Sequence, residues 1–176
     1  MHYGEIKKFD IANGIGVRVS LFVSGCRNAC PGCFNQDTWS FNYGKPFTNA
    51  TKEEILSALT PDYVAGLTVL GGEPLEPENQ QDVLDLLKSV HEKLPKKTIW
   101  LFTGFTLEEL KKSDCRAATP YLKDLLTLVD VLIDGRFEEQ HKNISLQFRG
   151  SENQRVIDLK KTLETGKITL WNKLLR

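Results

Sequence analysis

Three of the chain's four cysteines fall within eight residues, in the stretch 24-SGCRNACPGCFNQDTW-39. The pattern is Cys26-x3-Cys30-x2-Cys33, on a segment that also carries Gly25, Pro31 and Gly32. Thiolates are soft ligands suited to zinc and to iron–sulfur clusters, and so short a segment can bring three sulfurs around one centre without distant help. A structural zinc site usually takes four protein ligands, commonly as two separated pairs. No fourth ligand offers itself: Cys115 lies far along the chain beside charged residues, and His2, His91 and His141 stand in no ligand-like spacing. Three thiolates without a fourth fit a cluster with one open coordination position, where a substrate can bind. Two other readings stay open, a zinc-binding interaction module without catalysis and a dithiol of the thioredoxin kind between Cys30 and Cys33. The dithiol leaves Cys26 unexplained.

The elements that must position these residues are legible from apolar runs. The segments 17-VRVSLFV-23, 66-GLTVL-70, 98-TIWLF-102 and 129-VDVLI-133 are short, nearly unbroken and flanked by turn residues, as strands buried on both faces should be. Between them the pattern predicts helices. Thr51 with Glu54 reads as a capping box opening a helix over 52–60, and 78–94 places Val83, Leu84, Leu87, Val90 and Leu94 on one face before Pro95. Shorter helices are predicted over 107–112 and 120–128. This alternation implies right-handed crossovers and a parallel sheet. The units are too few for a closed eight-stranded barrel, which leaves an open doubly wound sheet or an incomplete barrel. The unusual residues all follow strand ends: Ser24 to Cys33, Gly71 to Pro74, Thr103 to Phe105 and Asp134 to Phe137. Arg18 sits inside the first strand pattern, where a buried charge needs partners. Beyond about residue 158 the sequence is least readable.

Composition sets the outer bounds. The 176 residues suit a single domain with a substantial core. Apolar residues make up 40% and charged residues 26%, with 23 basic against 23 acidic, so nothing points to nucleic acid or an anionic membrane. The opening residues lack the apolar run of a signal peptide, and no segment reaches the roughly 18 apolar residues of a membrane span. A cytoplasmic protein is expected, where clustered cysteines are more often metal-binding or catalytic than disulfide-bonded.

With these residues in view, C-x3-C-x2-C after the first strand resembles the radical S-adenosylmethionine superfamily. Many of its members carry an aromatic residue before the third cysteine, whereas here Gly32 stands there and Phe34 follows. The run FDIANGIGVRVSLFVSGCRNACPGCFNQDTW is similar to the activating proteins of anaerobic ribonucleoside-triphosphate reductases, as are 70-LGGEPLEPEN-79, 103-TGF-105, 134-DGRF-137 and 149-RGSENQRVID-158. Together these cover about residues 3 to 158. The resemblance implies an incomplete, laterally open (βα) barrel of parallel strands over residues 1–158, with 159–176 as a C-terminal extension. It implies that Cys26, Cys30 and Cys33 hold a 4Fe-4S cluster and carry the catalysis through it. S-adenosylmethionine would be the cosubstrate, contacted by Gly32, Cys33, Phe34, Gly71, Gly72, Glu73, Thr103 and Asp134. Arg149, Asn153, Gln154 and Arg155 would face either its methionine carboxylate or the partner protein. The implied reaction is reductive cleavage to a 5′-deoxyadenosyl radical, which takes hydrogen from a glycine of the reductase's large subunit. An electron donor such as flavodoxin, ferredoxin or a thioredoxin-type reductant is implied as a second partner. Activation of another glycyl radical enzyme, such as pyruvate formate-lyase, is the alternative within the same chemistry.

Overall fold

A computed structural model describes residues 1–172. The strands are β1 (His2–Asp10), β2 (Val17–Val23), β3 (Lys45–Pro46), β4 (Val64–Gly71), β5 (Thr98–Phe102), β6 (Val131–Asp134) and β7 (Arg155–Asp158). The helices are α1 (Asn49–Leu59), α2 (Pro77–Lys93), α3 (Leu107–Leu110), α4 (Leu122–Thr127) and α5 (Leu159–Thr165). All seven strands join one open sheet in the order β3-β1-β2-β4-β5-β6-β7.

The centre of the sheet is the predicted one. β2, β4, β5 and β6 are neighbours and run parallel, with β4 in register against both flanking strands. The expectation of parallel strands throughout fails at the edges, where β1 pairs antiparallel with β2 and β3, and β7 pairs antiparallel with β6. The reason is exposure. β1 (HYGEIKKFD) is polar and only partly covered, so it lacks the unbroken apolar run that marks a strand buried on both faces.

Helix starts depart in detail. α1 begins before the predicted position because Thr48, not Thr51, is its cap: Thr51 N–H donates to Thr48 Oγ1 and Thr48 N–H to Thr51 Oγ1, each at 3.3 Å. Glu54 takes no part in that box and pairs with Lys8 at 2.8 Å. α2 starts on Pro77, whose missing N–H costs nothing at a first helical position, and buries Val83, Leu84, Leu86, Leu87 and Val90. α3 and α4 are shorter than predicted.

The two faces of the sheet are covered differently. One face packs Val19, Leu21, Val23, Leu67, Val69, Ile99, Leu101, Leu132 and Ile157 against apolar residues from all five helices in one core. The alternate residues, Trp100, Val131, Ile133 and Val156, point the other way and form a small cluster with Phe102, Phe148 and Trp171. Arg18 is buried on that second face. Its guanidinium donates to Thr68 Oγ1 at 2.7 Å, Thr98 Oγ1 at 3.0 Å and the carbonyls of Leu67 and Thr98 at 2.7 and 2.8 Å, and lies over Trp100. Burial pulls it down to about 10 even with Asp130 and Asp10 nearby.

The C-terminal segment is tied to this architecture. Asp158 N–H donates to Thr169 O at 2.9 Å and Trp171 N–H to Val156 O at 2.8 Å, which sets the Trp171 ring edge-on to Trp100. The expected extension over 159–176 thus contains α5 and this return to β7; its last four residues lie outside the described ones. No described helix is long and apolar enough to cross a membrane.

Candidate iron–sulfur site

The cysteine loop leaves β2 and is shaped by main-chain bonds. Gly25 N–H donates to Thr38 O at 2.8 Å and Cys26 N–H to Trp39 O at 3.0 Å, folding the 36–39 turn back over the strand end. Gly25 has φ +97°, and a Cβ there would meet the Phe41 ring at 2.3 Å, so glycine is required. Cys30-Pro31-Gly32-Cys33 closes as a tight turn, Cys33 N–H to Cys30 O at 3.1 Å, with proline at its second position and Gly32 at φ +70° at its third. Those are the residues a type II turn selects.

All four cysteines are free thiols, and Cys26, Cys30 and Cys33 line one cavity of about 130 Å³. Its opposite wall comes from the ends of the next three strands: Gly71 ending β4 and Gly72 after it, Thr103 and Gly104 after β5, and Gly135 after β6. Gly72 N–H bonds Val23 O at 2.8 Å and Glu73 N–H bonds Gly25 O at 2.9 Å, so the second loop is stitched to the first. A side chain at Gly72 would bring its Cβ to 2.7 Å from Gly25 O. Among the described residues no three His, Cys, Asp or Glu side chains gather around one ion-sized point. The cysteines are arranged around a cavity.

Burial pushes the Cys26 thiol up to about 11, against the pull of the Asn28 and Ala29 backbone amides and with Glu73 and Glu76 adding to the rise. Cys30 is raised too, chiefly by burial. Both are thiols in the metal-free polypeptide, and a bound metal would deprotonate them.

The other predicted residues fall into two groups. Gly71, Gly72 and Thr103 stand on the cavity wall. Glu73 is fully buried behind it, accepting from Thr103 Oγ1 and Gly104 N–H at 2.8 Å, Leu75 N–H at 2.9 Å and Asn28 Nδ2 at 3.0 Å. Burial raises it to about 7, opposed by those donors. Asp134 is also buried and outside the lining: it accepts from Leu107 N–H at the start of α3 and from the Arg155 guanidinium. Phe34 is 65% exposed, packs on Phe137 at 5.1 Å and lines a neighbouring cavity of about 530 Å³ that shares Cys33, Asn35 and Phe137 with the first. Gln154 also lines both cavities, while Asn153 and Arg155 bond the 134–136 segment.

Sequence reasoning missed Asn28, Trp39, Glu76 and Arg116. Asn28 and Trp39 sit inside the quoted stretch and line the cavity, but nothing in their types marked them. Glu76 and Arg116 are joined to the loop only through contacts distant in sequence.

Residues 12–157 match the model of a family described as "4Fe-4S single cluster domain". The chain is 40% identical over 162 residues to an anaerobic ribonucleoside-triphosphate reductase-activating protein of Escherichia coli strain K12, covering 91% of this chain and all of that protein. Proteins of the same name from Pasteurella multocida and from Enterobacteria phage T4 are 43% and 40% identical, each over 89% of this chain and 96% and 93% of their own lengths. Near-complete alignment at this identity, over a segment that includes the whole cysteine cavity, places the chain in the family of anaerobic ribonucleoside-triphosphate reductase-activating proteins, with a 4Fe-4S single cluster domain.

Proposed function

We propose that the chain activates an anaerobic ribonucleotide reductase by reductive cleavage of S-adenosylmethionine. One observation carries this reading: three cysteines of one short loop share a cavity with the glycine-rich loop that follows the next parallel strand. Three soft ligands from one loop fit a 4Fe-4S cluster that keeps one iron open. Such a cluster, held by Cys26, Cys30 and Cys33, would supply one electron to the sulfonium of S-adenosylmethionine, whose C5′–S bond breaks to give methionine and a 5′-deoxyadenosyl radical that takes hydrogen from a glycine of the reductase.

The protein's own part is to bind, orient and keep water away. Gly71 and Gly72 bring bare backbone to the cavity, and Thr103 and Gly135 offer polar groups beside it. Glu73 supports that wall from behind by holding Thr103, Gly104 and Leu75 together. Phe34 and Phe137 form an apolar rim on the larger cavity, where the adenosyl group would rest. Asp134 acts by fixing the start of α3, and Gly32 by shaping the turn between the second and third ligands.

An incomplete, laterally open barrel of the radical S-adenosylmethionine type is the architecture this function needs. The sheet is open, and the helices named above all contribute to the core on one face, whereas a doubly wound sheet carries helices on both. A glycine on a polypeptide must be inserted, so an uncovered flank suits it. The electron would come from flavodoxin, ferredoxin or a thioredoxin-type reductant in the cytoplasm.

Anaerobic reconstitution tests the reading. About four iron and four sulfide per chain are expected, with S-adenosylmethionine cleaved to methionine and 5′-deoxyadenosine and a glycyl radical signal appearing on the reductase. Cys26→Ala, Cys30→Ala and Cys33→Ala should each abolish cleavage. Stoichiometric zinc without cleavage would defeat the proposal, and a radical appearing only on a formate-lyase would overturn the choice of substrate.

A further inference from the structure

The shape of the cysteine loop is enforced by residues from elsewhere in the chain. Between Cys26 and Cys30 lie Arg27, Asn28 and Ala29. Ala29 has φ +45°, a conformation that a residue with a Cβ seldom adopts unaided. Glu76, fully buried at the start of α2, accepts the Arg27 backbone N–H at 2.8 Å and the Arg27 guanidinium at 2.8 Å. The same carboxylate is gripped by Arg116, with nitrogen–oxygen distances of 3.1 and 3.2 Å. Arg116 Nη2 also donates to Asn28 Oδ1 at 2.7 Å, while Asn28 Nδ2 donates to Glu73 Oε2 at 3.0 Å. Arg116 comes from the loop between α3 and α4, 88 residues beyond Asn28, and is steadied by lying over the Phe105 ring at 4.8 Å.

We propose that Arg116 is a positioning residue for the cluster: by holding Glu76 and Asn28 at once, it fixes the backbone between the first two ligands. The inference rests on the reading that these cysteines hold a 4Fe-4S cluster. The fork geometry matters, because a planar guanidinium can serve a carboxylate and an amide oxygen together, which a lysine ammonium does less well. The segment that Arg116 holds runs directly from one ligand cysteine to the next, so the distances from its main-chain amides to the ligand sulfurs depend on the shape that Glu76 and Arg116 impose. Hydrogen bonds to ligand sulfurs set a cluster's reduction potential, since they favour the more negative, reduced state. Loosening the loop should therefore make the cluster harder to reduce.

The test is a redox titration of the anaerobically loaded protein, followed by electron paramagnetic resonance with neither S-adenosylmethionine nor reductase present. Wild type is compared with Arg116→Gln, Arg116→Lys, Asn28→Ala and the Arg116→Gln/Asn28→Ala double variant. Arg116→Gln should retain its iron, and at the potential where wild type is half reduced its reduced-to-oxidised ratio should fall about tenfold, or about 59 mV for a one-electron couple. Arg116→Lys should recover part of that shift. Because Arg116 acts in part through Asn28, the double variant should shift by less than the sum of the two single variants. An unchanged potential in iron-replete Arg116→Gln, complete recovery by lysine, or additive shifts would overturn the proposal. If Arg116→Gln loses iron, Arg116→Lys combined with Asn28→Ala carries the same additivity comparison. Absence of any cluster in wild type would overturn the functional reading itself, which separates the two failures.

Discussion

Glu73 concentrates the physics of the site in one side chain. Both carboxylate oxygens are occupied by donors, two each, and the residue has no solvent exposure. Glu73→Gln would turn an amide NH2 against groups that themselves donate, and should cost about 1–3 kcal/mol below pH 4.5, measured by chemical denaturation of the cluster-free protein. A second signature depends on pH. With its folded pKa raised to about 7 from an ordinary 4.5, the group's contribution is fully present below pH 4.5 and is lost as pH rises through 7. Wild type should therefore lose stability over that window relative to Glu73→Gln, by on the order of 3 kcal/mol at most. Equal pH slopes in the two proteins would show that Glu73 stays ionised throughout. At this scale the sequence was partly legible: the type and spacing of Cys26, Cys30 and Cys33 pointed to a shared centre, and the structure sets all three on one cavity. Glu76 and Arg116 announced nothing, because a charged residue reads as solvated surface until the fold brings its partner to it.

At the scale of elements, the parallel strands were legible because each is a short, largely apolar run flanked by turn residues, the pattern of a strand buried on both faces. Gly66 within β4 marks how closely two of them approach: a Cβ there would lie 1.9 Å from Thr98 O. Gly66→Ala should force β4 and β5 apart, costing about 3 kcal/mol, the upper end for overpacking, and should be visible as a lowered denaturation midpoint with an unchanged slope. The antiparallel edges escaped prediction for the converse reason. β1 carries polar residues on a partly exposed strand, and β7 is only Arg155–Asp158, a length at which no period can be read. The start of α1 escaped because Thr48 and Thr51 cap each other, whereas the pattern sought from sequence ends in a glutamate or glutamine. Local chemistry that uses an unusual partner is invisible until the geometry is known.

The whole molecule divides into a helix-covered face, which supplies the main core, and a second face finished by loops and the C-terminal return. This asymmetry predicts the order of hydrogen exchange. Amides of β2, β4 and β5, at the centre of the sheet and over the larger core, should exchange slowest, while β3 and the 138–150 segment should exchange fastest. Slower exchange in β3 than in β4 would contradict the described packing. The chain's three tryptophans stand in two places. Trp39 lines the cysteine cavity, whereas Trp100 and Trp171 meet edge to face on the second face, 5.8 Å between centroids. Iron–sulfur clusters absorb broadly across the near ultraviolet and quench nearby indole emission. With the cluster in the cavity as proposed, the protein carries its own lamp at the metal's doorstep, and the dimming of Trp39 offers an optical record of assembly that needs no added label.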